Sequence, residues 1–160
     1  MRNPAIVLPD VLPASHRLEK IIDSSGLSKL MLNLAYLRVS QINGCSFCVD
    51  MHSRDLKKGG ESDERIWAVG AWRESPHFND AERAALALTE AATRLNDRPD
   101  PVPDEVWNQA ARHFDERALA ALVVGIGVIN FWNRINVTIR QVADARLAAQ
   151  ATRDQAHAAE

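Results

Sequence analysis

The sequence predicts an all-α protein. Strand signals are nearly absent, since apolar and polar residues rarely alternate and no Asn-Gly hairpin joins two β-branched runs. Apolar residues recur instead at spacings of three and four through most of the chain. N-capping residues, glycines and prolines bound these helical segments. With 160 residues, the chain has the length of one domain with its own hydrophobic core.

The N-terminal half contains three helical segments in order. Residues 1–14 form an arm punctuated by three prolines, and the short segment SHRLEKIID then leads to a turn at SSG. The strongly apolar helix LSKLMLNLAYLRVSQI follows, and Asn43-Gly44 breaks it. The next helix begins at or near Cys45 and ends at Gly59-Gly60.

The C-terminal half continues the pattern. Ser62 is a plausible N-cap for SDERIWAVGAWRES, which Pro76 stops, and Asn79 or Asp80 caps the alanine-rich helix NDAERAALALTEAATRLN. The Pro-rich loop DRPDPVPD precedes the amphipathic helix PDEVWNQAARHF. The last segment, DERALAALVVGIGVINFWNRINVTIRQVADARLAA, begins apolar nearly all round, as is typical of a buried central helix. We expect a helical domain over residues 15–148 and a frayed tail over residues 149–160.

Composition and charge disfavour several classes of protein. A formal net charge of -2 gives no electrostatic footprint for nucleic acid or an anionic membrane. The first residues lack the apolar core and cleavage site of a secretory signal. The longest uncharged run, Ala118 to Asn133, is shorter than the roughly 20 residues of a membrane helix. We therefore expect a cytoplasmic protein with neither a nucleic-acid nor a membrane partner.

Both cysteines of the chain, Cys45 and Cys48, fall at the predicted start of a helix, and His52 follows one turn later. At about 100° per residue, the three side chains share one face. The first turn of a helix favours negative charge, so a thiolate there is stabilised and nucleophilic. A pair with this spacing can close a disulfide, and the histidine can receive or return a proton. The pattern predicts a redox dithiol that reduces a peroxide or another protein's disulfide.

Two other interpretations stay open from the residues alone. The cysteines could be inert core residues, because reactivity depends on exposure that a sequence does not give. Alternatively, the two cysteines and His52 could supply three ligands to zinc, whereas a structural zinc site needs four. The fourth would come from water or from one of the distant histidines His16, His77 and His113. We favour the dithiol, with no metal and no cofactor.

The segment LRVSQINGCSFCVDMH resembles the core motif of the carboxymuconolactone decarboxylase superfamily, in its AhpD-type alkylhydroperoxidase branch. NFWNRINV and the position of AERAALALTEAATRL resemble the same branch, over roughly residues 15–145. The resemblance implies an AhpD-like helical domain that assembles into a homo-oligomer, a trimer or hexamer. It also implies an antioxidant thiol peroxidase or disulfide reductase. The implied partners are a lipoylated protein or similar dithiol reductant, and a peroxiredoxin.

The resemblance also assigns roles and reveals one departure. It makes Cys48 the peroxide-attacking thiol and Cys45 the resolving thiol, with His52 in proton transfer. The branch begins its proton relay with a glutamate twelve residues before the first cysteine, where this chain has Asn33. Asparagine takes up no proton at neutral pH, and Tyr36, one turn later, is a candidate to place a hydroxyl nearby.

The consequence of this departure is graded. General acid–base help is typically worth a factor of about 10²–10⁴, so a broken relay should slow turnover without abolishing thiol chemistry. A catalytically silent family member is therefore an alternative. A member of the decarboxylase branch is another, although that branch does not depend on a cysteine pair.

Overall fold

The computed structural model describes residues 2–97 and 99–143, and all regular structure in those two ranges is helical. The all-α prediction is confirmed. The α-helices are α1 (Pro4–Val7), α2 (Val11–Asp23), α3 (Lys29–Ile42), α4 (Ser46–Lys58), α5 (Asp63–Ala68), α6 (Asp80–Thr93), α7 (Asp104–His113) and α8 (Glu116–Thr138). Short 3-10 helices span Val69–Ala71 and Leu95–Asp97.

Helix α3 lies at the centre of the fold and packs against α4, α6 and α8. Its apolar side chains point to two sides, as its sequence predicts. On one side Leu34 and Leu37 join a core cluster with α5 and α6. On the other side Val39 joins the larger cluster, which includes both Cys45 and Cys48. The cysteine pair is therefore held by close packing on several sides.

A buried carboxylate ties α3 to α6. The side chain of Glu90 is only 4% exposed and accepts hydrogen bonds from Arg38 Nε at 2.6 Å, Trp72 Nε1 at 3.0 Å and Arg73 Nη1 at 2.6 Å. Burial by itself would raise the pKa of Glu90, but these hydrogen bonds outweigh it and hold the pKa below its ordinary value. Glu90 therefore stays ionised at neutral pH and fixes the relative positions of the two helices.

The predicted N-terminal arm contains more helix than the sequence suggested. Residues 4–7 form α1, capped by Asn3, whose side chain accepts from the N–H of Ala5 at 2.9 Å. Helix α2 starts at Val11, ahead of the predicted start at Ser15, and includes Pro13 in its first turn. A proline is compatible with that position, because N–H groups of the first turn have no partner within the helix.

The last helix ends earlier than its apolar pattern suggested. Helix α8 ends at Thr138, and Arg140 adopts a left-handed conformation with φ 55°. The predicted domain end at residue 148 and the predicted frayed tail over residues 149–160 lie outside the described residues.

Helix α8 is long and apolar enough to cross a membrane on length and composition, and it is the one such helix in the part of the chain described. Two of its asparagines, Asn133 and Asn136, are nevertheless buried in the fold. Asn133 is fully buried, accepts from Asn43 at 3.0 Å and donates to Ser40 at 3.2 Å. These contacts to α3 and the residue after it are those of a core helix.

Gly125 is needed where α8 crosses α3. A Cβ atom at this position would lie 2.7 Å from Leu32 Cδ1 and 3.3 Å from the Tyr36 hydroxyl. We expect Gly125→Ala to lower the free energy of unfolding by about 1–3 kcal/mol, because the buried neighbours must shift. Urea unfolding of the oxidised protein measures the effect.

Gly127→Ala is the matched control on the same helix. A Cβ atom there meets no heavy atom within 4 Å. Alanine should therefore raise the free energy of unfolding by up to about 1 kcal/mol through its higher helix propensity. Equal stabilisation by both substitutions would contradict the close approach at Gly125.

Candidate active site

The cysteine pair sits at the junction of α3 and α4. Gly44 makes the turn in the left-handed region, with φ 68°, and Cys45 is the N-cap of α4. Its sulfur accepts a hydrogen bond from the N–H of Cys48 at 3.3 Å. The two cysteines form a disulfide, with their Cα atoms 5.3 Å apart. The prediction of a C-x-x-C at a helix start is confirmed.

The two ends of the disulfide face different recesses. Both residues are buried, Cys45 at 2% exposure and Cys48 at 0%. Cys48 nevertheless lines a cavity of about 490 Å³ between α2, α3, α4 and α8. Cys45 lines a smaller groove of about 210 Å³ beside Val137 and Arg140. The two cysteines of the disulfide therefore adjoin different recesses.

His52 lies one turn after Cys48 and lines the same cavity. Its Nδ1 lies 3.3 Å from Asn33 Oδ1, and its buried Nε2 has no hydrogen-bond partner. Burial lowers the pKa of His52 to about 4, and the charge of Asp55 offsets this only in part. The imidazole is therefore neutral at pH 7. With the proton on Nδ1, directed at Asn33, Nε2 is a free proton acceptor.

Tyr36 packs edge-on against His52, with ring centroids 5.1 Å apart. Its hydroxyl is buried without a hydrogen-bond partner. Burial, reinforced by the charges of Glu19 and Asp23, raises the pKa of Tyr36. The hydroxyl therefore keeps its proton. The structure thus brings all five residues singled out from the sequence, Cys45, Cys48, His52, Asn33 and Tyr36, to one region, and four of them line the larger cavity.

The walls of this cavity are mainly apolar. Phe47, Met51, Ile129 and Trp132 belong to the apolar lining, and charged side chains of α2, α3 and α4 also line the cavity. Its volume falls within the range of pockets for small organic ligands. The arrangement can hold an organic molecule against Cys48 with a proton acceptor nearby.

Sequence reasoning missed one polar neighbour of the disulfide. Asn136 on α8 is buried, and its Nδ2 lies 3.4 Å from Cys48 Sγ. The residue belongs to the NFWNRINV segment, whose asparagines recur at positions 130, 133 and 136. Polar residues repeated every three positions in an otherwise apolar helix are the signal that could have pointed to this contact.

The zinc interpretation finds no assembled ligand set. Among the described residues, no group of three or more His, Cys, Asp and Glu side chains is placed to hold a metal ion. Of the three distant histidines, His16 shares the cavity with Cys48, whereas His77 lies before α6 and His113 ends α7.

An all-helical fold with a buried disulfide at the start of a helix defines a class of thiol proteins. Comparison with known sequences places the chain within it: residues 9–91 match the model of the carboxymuconolactone decarboxylase family. The chain belongs to this family, in its AhpD-like branch.

Relatives extend the similarity over most of the chain. The uncharacterised protein YdfG of Bacillus subtilis is 37% identical over 133 residues, 83% of this chain and 89% of that protein. The alkyl hydroperoxide reductase AhpD of Hyphomonas neptunium is 37% identical over 83 residues, 50% of this chain. The match spans 46% of that AhpD, so about half of that protein's length lies outside the match.

Two solved structures share the fold, one at 38% and one at 27% sequence identity. A protein of unknown function from Agrobacterium tumefaciens, ATU0492, with a suggested AhpD role in antioxidant defence, superposes with a TM-score of 0.81 at 38% identity, covering 87% of this chain and 94% of that one. The debrominase Bmp8 superposes with a TM-score of 0.72 at 27% identity, covering 84% and 72%. The fold therefore carries more than one chemistry.

Proposed function

We propose that the protein is a thiol-dependent peroxidase that reduces organic hydroperoxides through Cys48 and Cys45. The observation that carries the proposal is the position of Cys48: it is half of a disulfide, yet it lines a cavity large enough for an organic molecule, beside an unpartnered imidazole nitrogen. Similarity to AhpD proteins supports an antioxidant role at the level of the family.

The first step oxidises Cys48. In the reduced protein, His52 Nε2 takes the thiol proton, and the Cys48 thiolate attacks the outer oxygen of the hydroperoxide. The oxygen–oxygen bond breaks, and His52 returns the proton to the leaving oxygen, which departs as an alcohol. Cys48 becomes a sulfenic acid, so one sulfur is oxidised while one peroxide is reduced. The Tyr36 hydroxyl is available to donate a hydrogen bond to the substrate.

The second step closes the disulfide. Cys45 attacks the Cys48 sulfenic acid, a sulfur–sulfur bond forms, and water leaves with the thiol proton of Cys45. An external dithiol then reduces the disulfide by thiol–disulfide exchange and is itself oxidised. We propose that this dithiol reaches Cys45 from the smaller groove. A lipoylated protein or similar carrier would supply it in the cytoplasm, with a peroxiredoxin as a further partner.

We also propose that the chain forms a homo-oligomer. Exposed apolar side chains, Leu18, Val124 and Phe131 among them, line an apolar groove of about 510 Å³ between α2 and α8. A second copy would cover such a surface. A monomer in sedimentation at micromolar concentration would contradict this part of the proposal.

A second candidate is reductive debromination, favoured by the similarity to Bmp8 and by the aromatic side chains Phe47 and Trp132 in the cavity wall. In this reaction the carbon–bromine bond breaks and bromide leaves. Cys45 and Cys48 are oxidised to the disulfide, one thiol proton ends on the ring carbon, and the other is released.

A turnover assay with dihydrolipoamide as the dithiol separates the candidates. The proposal predicts consumption of cumene hydroperoxide in proportion to protein, and none with protein whose thiols were alkylated beforehand. Release of bromide from 2,3,4-tribromopyrrole, a compound that a variant of Bmp8 binds, with hydroperoxide untouched, would favour the second candidate. Inactivity of folded protein on both substrates would contradict both.

A further inference from the structure

We propose that Asn136 is a positioning residue that orients and stabilises the thiolate of Cys48 in the reduced protein. The inference deepens the proposed peroxidase function and rests on it for its biological purpose. The property that it predicts, the acidity of the Cys48 thiol, can be measured without any peroxide. Asn136 Nδ2 lies 3.4 Å from Cys48 Sγ and connects α8 to α4 across 88 positions of sequence. A sulfur atom accepts hydrogen bonds weakly when neutral and more strongly as a thiolate.

The hydrogen bonds around Asn136 fix which end of its amide faces the sulfur. Asn3 Oδ1 accepts from the N–H of Ala5 at 2.9 Å, so its amide nitrogen is the end left to donate elsewhere. That nitrogen donates to Asn136 Oδ1 at 3.3 Å. Because the oxygen of Asn136 is used in this way, its NH₂ group is directed at Cys48. Asn3, the residue that caps α1, therefore determines that Asn136 presents its amide nitrogen, and not its oxygen, to Cys48.

The two sulfurs are held by donors of different kinds. The N–H of Cys48, at the start of α4, points at Cys45 Sγ, so the positive end of the helix favours negative charge on Cys45. Cys48 is fully buried, and burial disfavours a thiolate. An amide donor at Cys48 Sγ offsets this burial, at the sulfur that faces the larger cavity.

The other titratable side chains on the cavity wall come from α2, α3 and α4. Helix α4 contributes His52 and α3 contributes Tyr36, and both are neutral at pH 7 on the pKa directions given above. Helix α2 contributes His16, Glu19 and Asp23 to the cavity wall, α3 contributes Lys29 and α4 contributes Asp55. The carboxylates oppose a thiolate, and Lys29 is paired with Asp23 at 3.2 Å. The residues of α8 that line the cavity are Val128, Ile129, Trp132 and Asn136. None of them is charged, and Asn136 is the amide among them.

The test measures the Cys48 thiol without any peroxide. In a Cys45→Ser background, the ultraviolet absorbance of the thiolate is followed against pH. Asn136→Ala should raise the pKa of Cys48 by about one unit, since a hydrogen bond to a charged group has about that strength. Asn136→Asp should raise it further by adding negative charge. Asn3→Ala, which frees the amide to rotate, should give a smaller rise.

Asn130→Ala is the matched control. It removes the side-chain amide of another asparagine on α8, one that accepts a hydrogen bond from Asn43 and does not contact Cys48. The titration of Cys48 should therefore stay unchanged. Asn136→Asp keeps the shape of the side chain, so it carries the test if Asn136→Ala fails to fold. A Cys48 titration that is unchanged in a folded Asn136 variant overturns the inference. If the titration shifts as expected but no variant consumes hydroperoxide, the inference about Asn136 stands and the proposed function fails.

Discussion

Replacing Cys48 with serine is expected to abolish hydroperoxide consumption, because it removes the cysteine sulfur that lines the larger cavity. Serine cannot be oxidised by the peroxide and is a far weaker nucleophile than a thiolate. Activity should fall to that of protein with alkylated thiols. The turnover assay with dihydrolipoamide measures this directly.

Cys45→Ser is the matched variant and should behave differently. Cys48 still attacks the first hydroperoxide, but no resolving thiol closes the disulfide. We expect one turnover, followed by a sulfenic acid on Cys48 that a dimedone probe labels. Equal loss of the first turnover in both variants, with both folded, would contradict the assignment of separate roles.

The second large effect is expected from Asn33→Glu, which places a carboxylate beside His52 Nδ1. Asn33 Oδ1 lies 3.3 Å from that nitrogen. A negative charge at such a distance should raise the pKa of His52 by about 1–3 units from its value of about 4. A more basic imidazole removes the Cys48 proton more readily, so the rate of hydroperoxide reduction at pH 8 should rise about tenfold or more.

The same substitution should change the dependence on pH. Only the neutral imidazole accepts a proton, so activity is lost as the pH falls through the pKa of His52. In the unmodified protein this loss is expected near pH 4, and in Asn33→Glu it should move upward toward the ordinary histidine value of about 6.5.

Asn33→Gln is the control, because glutamine has the shape of glutamate without its charge. Its rate and its pH profile should stay close to those of the unmodified protein. If the glutamate and glutamine variants match in both respects, the imidazole is not the proton acceptor in the rate-limiting step.

Most of the helical order followed from local signals. Ser62 and Asn79 cap their helices as their positions predicted, and Asn79 forms a capping box with Glu82. Gly44 ends α3 in the conformation that its lack of a side chain permits. These features depend on residues within one turn of each other, which is why a sequence reveals them.

The features that sequence reasoning missed depend on contacts between distant parts of the chain. The proline pattern of residues 1–14 suggested an arm, but Asn3 is held by Asn136 and the segment folds as α1 and the start of α2. The contact of Asn136 with Cys48 links positions that only the packing of α8 on α4 brings together. Helical spacing did predict a shared face for Cys48 and His52, since that relation lies within one helix.

The ratio of thiols lost to hydroperoxide consumed is the most direct test of the central claim. Fully reduced protein, free of added reductant and oxygen, is mixed with a limiting amount of cumene hydroperoxide, and both quantities are counted. We predict two thiols lost and one alcohol formed per hydroperoxide, with a Cys45–Cys48 disulfide found by peptide mapping. Unchanged thiols in folded protein, or oxidation without alcohol formation, would contradict a dithiol peroxidase.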